Sequence, residues 1–528
     1  MPKIEIITAS ILGVLTALYI IQVLRRDLMM LQQNSYRNDR YARWFNNSAE
    51  STQFTRIMGC IALFIILVHN LPFAISGLTA SIIVIGCMIT LLRRHYKKPL
   101  VMTRRAWRIL LTSLFLAYAL TAGIGLLTRN PITTCAMLLA CTVASPLIML
   151  TANWLLKPVE KAINRRYYNE ARDILASMPS LRVIGITGSY GKTSTKHYLQ
   201  RILSEQYDTL MTPGSFNTTM GVIRTIREYL KPYNEVFIVE MGAKQPGDIK
   251  EICDLVHPSV GIVTAVGEQH LESFKTIENV QRTKFELIDA LPPDGLAVIN
   301  DDFPYVASRP VDNVKCMRYA VNNTGAANYS VSDIEYAPDG TRFTVNGPDG
   351  SITLRTRLVG ECNISNLMAA VIVAMYLKVP AEKIRYAVEK IEQVEHRLNL
   401  KRTPGGITII DDAFNSNPDG SRMAVDVLSR MTGGKRIIIT PGMIELGDKQ
   451  EEYNRRLGRH IAASVDVAII VGAYNRDALM AGITEAGSLA AENVHPVATF
   501  GEAQQVLASI ARPGDTVLYE NDLPDTFK

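Results

Sequence analysis

GITGSYGKTSTK, Gly185–Lys196, follows a short β-branched run, Arg182-Val183-Ile184, and opens into a segment with helical spacing. Strand, glycine loop and helix N-terminus in that order form a phosphate cradle, because backbone N–H groups converge on one point. Gly188 and Gly191 let the backbone turn tightly around an anion, with Ser189, Tyr190 and Ser194 completing the stretch. Lys192 adds a point charge for the outer phosphates, and the Thr193 hydroxyl is placed to take Mg²⁺. Ile186 stands where the usual pattern has its first glycine, so the pattern kept is the shorter Gly-x-x-Gly-Lys-Thr. The expected ligands are ATP and Mg²⁺.

The 528 residues leave room for about three domains. A mean hydropathy of +0.09 averages two unlike parts, a membrane-like first 150 or so residues and a remainder of ordinary soluble composition. The net charge of +6 reflects 56 Lys and Arg against 50 Asp and Glu, with much of the excess in membrane-proximal loops. It therefore reads as topology and not as nucleic-acid binding. The seven cysteines are scattered without a Cys-x-x-Cys, so neither a zinc site nor a disulfide framework is expected.

Apolar runs long enough to cross a bilayer are expected at Ile4–Leu24, Ile57–Leu71, Phe73–Leu92, Ile109–Thr128 and Ile132–Thr151. Arginines 25, 26, 37, 40, 43 and 56 lie between the first two runs, and Arg93, Arg94, Lys97, Lys98, Arg104, Arg105 and Arg108 lie between the third and fourth. The other connections are nearly uncharged. With five spans, this asymmetry gives a multi-pass protein of the cytoplasmic membrane, with its N-terminus outside and its soluble part in the cytosol. The spans hold almost no ionisable side chains in their cores, which disfavours transport. They serve as a plain anchor or form a lateral groove for a lipid-linked substrate. Lys157–Met178 is amphipathic, basic near its start, and expected to lie along the membrane surface as a linker.

A strand from Val236 ends in Glu240-Met241-Gly242-Ala243, which puts a carboxylate beside the cradle where a second Mg²⁺ ligand would stand. The run Val260–Val266 closes in GEQHLESF, so His270 also falls just past a strand end. Beyond residue 396 alternation resumes: Ile407–Ile410, Arg436–Thr440, Val467–Val471 and Thr516–Tyr519 read as buried strands, with helical segments such as Asp419–Met431 between them. This is a doubly wound open sheet, which binds ligands beyond the carboxyl ends of its strands. Asp411-Asp412, Asn415 and Asn417 follow the first of these strands, and Pro441–Asp448 the second. Asn417-Pro418-Asp419-Gly420 also turns the chain and caps a helix.

The cradle, EMGAKQPGDI, GEQHLESF, QRTKFELI, GECNISNLMAA, EHRLNL and IDDAFNSNPDG occur in an order that resembles the Mur ligase family, the ATP-dependent amide ligases of peptidoglycan synthesis. IDDAFNSNPDG and TPGMIELGD look most like the branch that joins D-alanyl-D-alanine to UDP-N-acetylmuramoyl-tripeptide. The resemblance runs from about Leu181 to the C-terminus. It implies that Lys192 and Thr193 bind phosphate and magnesium, that Glu240 is the strand-end magnesium carboxylate, and that His270 holds a second metal. Lys284 aligns with a lysine that many members carbamylate into an anionic metal bridge. Asn363 and Asn366 match nucleotide-contacting asparagines, Arg397 matches the arginine at the domain junction, and Asp412 and Asn415 face the cleft and the incoming amine or nucleotide.

Cys362 stands where the family usually has histidine, Thr218 where near relatives have asparagine, and Phe414 where they have tyrosine. The resemblance further implies that membrane helices take the place of the domain that holds the uridine nucleotide. The expected fold is thus an all-α transmembrane domain of about five helices (residues 1–155), an amphipathic linker (156–178), a P-loop-type α/β central domain (179–395) and a doubly wound C-terminal domain (396–528). The expected activity is ATP-dependent ligation through an acyl phosphate, joining an amino acid or dipeptide to a lipid-linked or UDP-linked muramoyl peptide. Alternatives are a membrane-associated poly-γ-glutamate type of ligase and a catalytically idle scaffold.

Overall fold

The structure, a computed structural model, describes residues 2–47, 53–68, 72–94, 96, 98–269, 271–325, 327–337, 340–348, 350–358, 360–395, 397–413 and 416–522. Among the expected site residues, His270 and Asn415 lie outside them, as does Phe414. The chain divides into two compact units, Met1–Arg165 and residues 166–522.

The first unit is helical: α1 (Lys3–Gln33), α2 (Asn38–Asn47), α3 (Gln53–Leu67), α4 (Phe73–Leu92), α5 (Arg104–Thr128), α6 (Pro131–Val143) and α7 (Ser145–Ala176), the last running on into the second unit. Among the described residues three helices, α1, α4 and α5, are long and apolar enough to cross a membrane. α1 carries an exposed apolar stripe of Ile4, Ile7, Ile11, Val14 and Leu18, while Leu12, Thr16 and Ile20 are buried. That is the pattern of a helix with one face on protein and the other on lipid. α3 has 15 residues, about 22 Å, shorter than the ~30 Å hydrocarbon layer.

One expectation is corrected here. The run Ile132–Thr151 is not one helix: α6 stops at Val143 and α7 leaves it at 74°. Pro146 accounts for the break, since it has no N–H with which to continue the α6 hydrogen-bond ladder and suits the first turn of a new helix. The stretch expected as an amphipathic linker forms the second half of α7, which ends at Ala176. Its Tyr167, Tyr168, Ala171 and Leu175 pack into the core of the second unit.

Among the described residues the second unit holds two sheets. The first contains β1 (Arg182–Thr187), β2 (Thr209–Met211), β3 (Val236–Glu240), β4 (Val260–Val263), β5 (Leu296–Asn300), β6 (Lys315–Ala320), β7 (Tyr329–Ala337), β8 (Gly340–Gly347) and β9 (Gly350–Thr356) in the order β2-β3-β1-β4-β5-β6-β7-β8-β9. β2 through β7 in that order run parallel, and β7, β8 and β9 pair antiparallel. Ile184, Ile238 and Val298 enter the core on one face, and Val183, Phe237, Val239, Ala297 and Ile299 the core on the other. Both faces are covered, which is why these strands read as continuous apolar runs.

The second sheet contains β10 (Asn399–Arg402), β11 (Thr408–Asp412), β12 (Arg436–Thr440), β13 (Val467–Val471), β14 (Val494–Val497) and β15 (Thr516–Glu520) in the order β10-β11-β15-β12-β13-β14. Only β10 is antiparallel to its neighbour. Because β15 inserts between β11 and β12, the ends of β11, β15 and β12 bring Asp412, Glu520 and Thr440 side by side.

Candidate active site

β1 delivers the chain into the glycine loop and α8 (Lys192–Leu203) leaves it. Gly188 and Gly191 have φ of +152° and +82°, the left-handed region that suits glycine. A Cβ at Gly191 would stand 2.3 Å from Asn366 Oδ1, so the asparagine packs directly under the turn. Ser189 is pinned from below by Ala265 and Gly267, its N–H donating to Ala265 O at 2.8 Å and its hydroxyl to Gly267 O at 3.0 Å. Lys192 Nζ donates to Gly188 O at 2.6 Å and Ser189 O at 3.2 Å, so the ammonium lies over the loop where phosphate oxygens would stand.

Parallel register sets Glu240 of β3 beside Ile186 of β1, within reach of the first turns of α8. Thr193 Oγ1 donates to Glu240 Oε2 at 3.1 Å, Lys196 Nζ approaches the same oxygen at 2.9 Å, and Asn217 Nδ2 donates to Oε1 at 3.0 Å. Burial would raise the Glu240 carboxyl; the ammonium groups of Lys196 and Lys192 and the hydrogen bonds from Lys196 and Asn217 outweigh it and hold the group below its ordinary value. Lys192 is lowered to about 8 by burial, with Arg397 adding to the effect and Glu240 opposing it.

Lys284 stands on the helix Ile277–Asp289 and is 3% exposed. Burial, with help from Lys192, lowers its amine to about 7 against the opposing pull of Asp248 and Glu286. Its helix reaches the loop because Gly185 lacks a side chain: a Cβ there would lie 2.6 Å from Leu287 Cδ1, one turn along from Lys284.

The second sheet brings Asp412, at the end of β11, and Arg397, two residues ahead of β10. Burial lowers the Arg397 guanidinium, opposed by Asp412 and Glu240. Asp412 Oδ1 accepts from Leu398 N at 3.2 Å, and burial together with Glu520 raises its carboxyl to about 7 despite Arg397. Leu398 sits at φ +48°, a strained backbone between these two groups. Tyr190 OH of the loop donates to Asp419 Oδ2 at 2.8 Å, and Lys449 pairs at 2.7 Å with Glu268, in the stretch that follows β4.

The structure therefore gathers Lys192, Thr193, Glu240, Lys284, Arg397 and Asp412. Asn363 and Asn366 support α8: Asn363 Oδ1 accepts from Tyr198 OH at 2.8 Å, and Asn366 Oδ1 from Thr195 Oγ1 at 3.4 Å. Sequence reasoning missed Lys196, fully buried against Glu240 and marked only by lying one helical turn after Lys192. It also missed Glu520, held by Ser421 at 2.6 Å, Thr440 at 2.8 Å and Ser416. Its position at a strand end was the available sign.

The UDP-N-acetylmuramoyl-tripeptide–D-alanyl-D-alanine ligase of Bacillus subtilis (strain 168) is 30% identical over 345 residues, 64% of this chain and 72% of that protein. The chain belongs to the Mur ligase family. The family's middle-domain model matches residues 186–374, and the model described as Mur ligase, glutamate ligase domain matches 396–519. The Mycobacterium bovis ligase of the same name is 31% identical over 365 residues, 64% of this chain and 70% of its own. The crystal structure of MurF from Acinetobacter baumannii superposes with a TM-score of 0.61 at 27% identity, covering 67% of this chain and 76% of that one. The Thermotoga maritima MurF ligase in complex with ADP shares the fold at TM-score 0.60 and 24% identity. Mur ligases are ATP-dependent amide ligases, and the six residues gathered above are this Mur ligase's candidate machinery. Neither family model reaches into the helical unit.

Proposed function

We propose that this Mur ligase joins D-alanyl-D-alanine, or a related amine, to a muramoyl peptide at the cytosolic face of the membrane, through an acyl phosphate. The observation that carries the reading is the convergence of Lys192, Thr193 and Glu240 with Arg397 and Asp412 around one glycine loop. The substrate's carboxylate oxygen attacks the γ-phosphorus of ATP, the bond to the bridging oxygen breaks, and ADP leaves. The amine then attacks the activated carbonyl, phosphate departs and the amine's proton is lost. A carboxylate is a poor acyl donor because its oxygen leaves badly, and phosphorylation corrects that.

Phosphoryl transfer needs positioning and charge neutralisation more than covalent help. Lys192 and Arg397 supply fixed positive charge on either side of the loop. The Thr193 hydroxyl and the Glu240 carboxylate, 3.1 Å apart, suit Mg²⁺, which takes one or two protein oxygens beside phosphates and water. When bound, the ion neutralises charge on the outer phosphates. Among the described residues no group of three or more His, Cys, Asp or Glu side chains is placed to hold a metal. A second ion would rest on His270 and on Lys284 once carbamylated, a modification that needs the neutral amine and that the lowering of Lys284 to about 7 by burial favours. Asp412, ionised above about 7, is the group to accept the amine's proton.

The helical unit is the membrane part of this reading. Three long apolar helices and the bent α6–α7 pair support up to four passages, the short α3 would be the fifth, and the arginine-rich connections favour a cytosolic catalytic unit. In this reading the domains divide near residues 178 and 396, shortly before β1 and β10 begin. The detergent-solubilised chain is to be incubated with ATP, D-alanyl-D-alanine and either a UDP-linked or a lipid-linked muramoyl tripeptide. Amide product and ADP in equal amounts are expected, faster with the lipid-linked acceptor; ADP release that no acceptor stimulates would overturn the reading.

A further inference from the structure

The parallel register pairs Asp412, at the end of β11, with Glu520, at the end of β15. Partners in register point to the same face of a sheet, so the two carboxyl groups leave it side by side. Glu520 is 1% exposed; its Oε2 accepts from the Thr440 hydroxyl at 2.8 Å, and its Oε1 from Ser421 at 2.6 Å and from Ser416. Asp412 is partly exposed, and its Oδ1 accepts from Leu398 N at 3.2 Å, which leaves Oδ2 for a substrate group. The backbone beyond β15 is pinned as well. Asn521, at φ +64°, donates from its N–H to Asp412 O at 3.2 Å and from Nδ2 to Gly442 O at 2.6 Å.

Hydrogen bonds to a carboxylate favour its charged form, and like charges side by side resist ionising together. Three hydroxyl donors keep the charge on Glu520, so the proton that the pair retains rests on Asp412. Among the described residues, the other charged or titratable groups near Asp412 are Arg397, Asp411 and the Cys362 thiol on the helix Glu361–Tyr376. Arg397 opposes that proton, and Asp411 is paired with Lys401 of β10 at 3.4 Å. Burial and then Glu520 outweigh Arg397, which is how the Asp412 carboxyl reaches about 7. A proton acceptor works best near the operating pH, and a carboxylate of ordinary strength falls short of it.

We propose that Glu520 is a positioning residue of the ligation: its buried charge, fixed beside Asp412 by Ser416, Ser421 and Thr440, makes Asp412 Oδ2 the acceptor of the amine's proton. This role deepens the ligase reading and rests on it. As the amine nitrogen bonds to the activated carbonyl carbon and the bond to the departing phosphate oxygen breaks, the proton passes from nitrogen to Oδ2. Glu520 itself is sealed from substrate and acts only through its neighbour.

The test uses the full chain in detergent. Difference infrared spectroscopy without ATP follows the carbonyl stretch of protonated buried carboxyl groups across neutral pH. A band that vanishes near pH 7 is expected in the wild-type protein and is expected to be missing in Asp412→Asn, a change that relieves buried charge. Glu520→Gln should move the band about one pH unit or more lower. The acid limb of kcat/KM for the amine should move down with it, while KM for ATP holds. Glu520→Asp, which keeps the charge, should bring band and limb back toward the wild-type position. A thermal melt accompanies each variant. Loss of a purely structural tie would lower Tm and rate at every pH and leave the band in place. That result in Glu520→Gln would overturn the proposal, and so would a band that persists in Asp412→Asn. A shifting band in a chain that forms no amide refutes only the ligase reading, and an active ligase whose band stays in place in Glu520→Gln refutes only this one.

Discussion

Lys284 is the costliest side chain of the candidate site. Its ordinary value of 10.5 falls to about 7 in the folded chain. Between those values the unfolded chain binds more protons, so unfolding free energy rises with pH across that window, and the burden is heaviest at neutral pH and below. Lys284→Met keeps the volume and removes the charge. It is expected to stabilise the nucleotide-free protein at pH 7 by about 2–4 kcal/mol, seen as a higher Tm, while abolishing ligation. A lower Tm would mean that the amine is paired or modified in the resting protein. Asp412 shifts the opposite way, from 3.8 to about 7, so the folded chain binds the extra proton between those values and stability falls as pH rises through them. As the proton acceptor, Asp412 should give kcat/KM an acid limb near pH 7. Asp412→Asn should cut the rate about 100-fold or more and remove that limb; a limb that persists would assign it to Lys284 or another group.

At the scale of elements, the site depends on one helix reaching one loop. Gly185→Ala places a methyl group 2.6 Å from Leu287 Cδ1 and 2.9 Å from Met241 Cε, so Leu287, one turn along from Lys284, and Met241 must repack to admit it. A loss of about 1–3 kcal/mol is expected, with kcat falling more than nucleotide affinity because the repacking falls on the helix that carries Lys284. Equal losses in both would place the helix outside the chemistry. Much of this level was legible: the loop, Thr193 and Glu240 follow from strand, glycine and strand-end rules that act within a few residues. Other features were not. The Lys196–Glu240 pair spans 44 residues and depends on the β1–β3 register, and the Tyr190–Asp419 bond spans 229 residues and two sheets. The antiparallel β7–β9 went unread although β9 alternates buried and exposed residues cleanly, and hydropathy averaging hid the α6–α7 break that Pro146 announces.

At the scale of the whole molecule, a Mur ligase catalytic unit follows a helical unit that the family models do not cover. The composition showed that division at once, because long apolar runs and an ordinary soluble remainder have different physical causes. The number of passages was less legible, since a 15-residue helix and a proline-broken pair sit at the edge of what length and hydropathy decide. The central claim is that a carboxylate becomes an acyl phosphate on the loop at Gly188–Thr193 and is then taken by an amine. The direct measurement uses an acceptor labelled with oxygen-18 in its carboxylate, with ATP and D-alanyl-D-alanine, and mass analysis of the phosphate released. One labelled oxygen per phosphate is expected with the wild-type protein, and no ligation with Lys192→Ala. Amide formed with unlabelled phosphate, or label transfer that survives the loss of Lys192, would contradict the account.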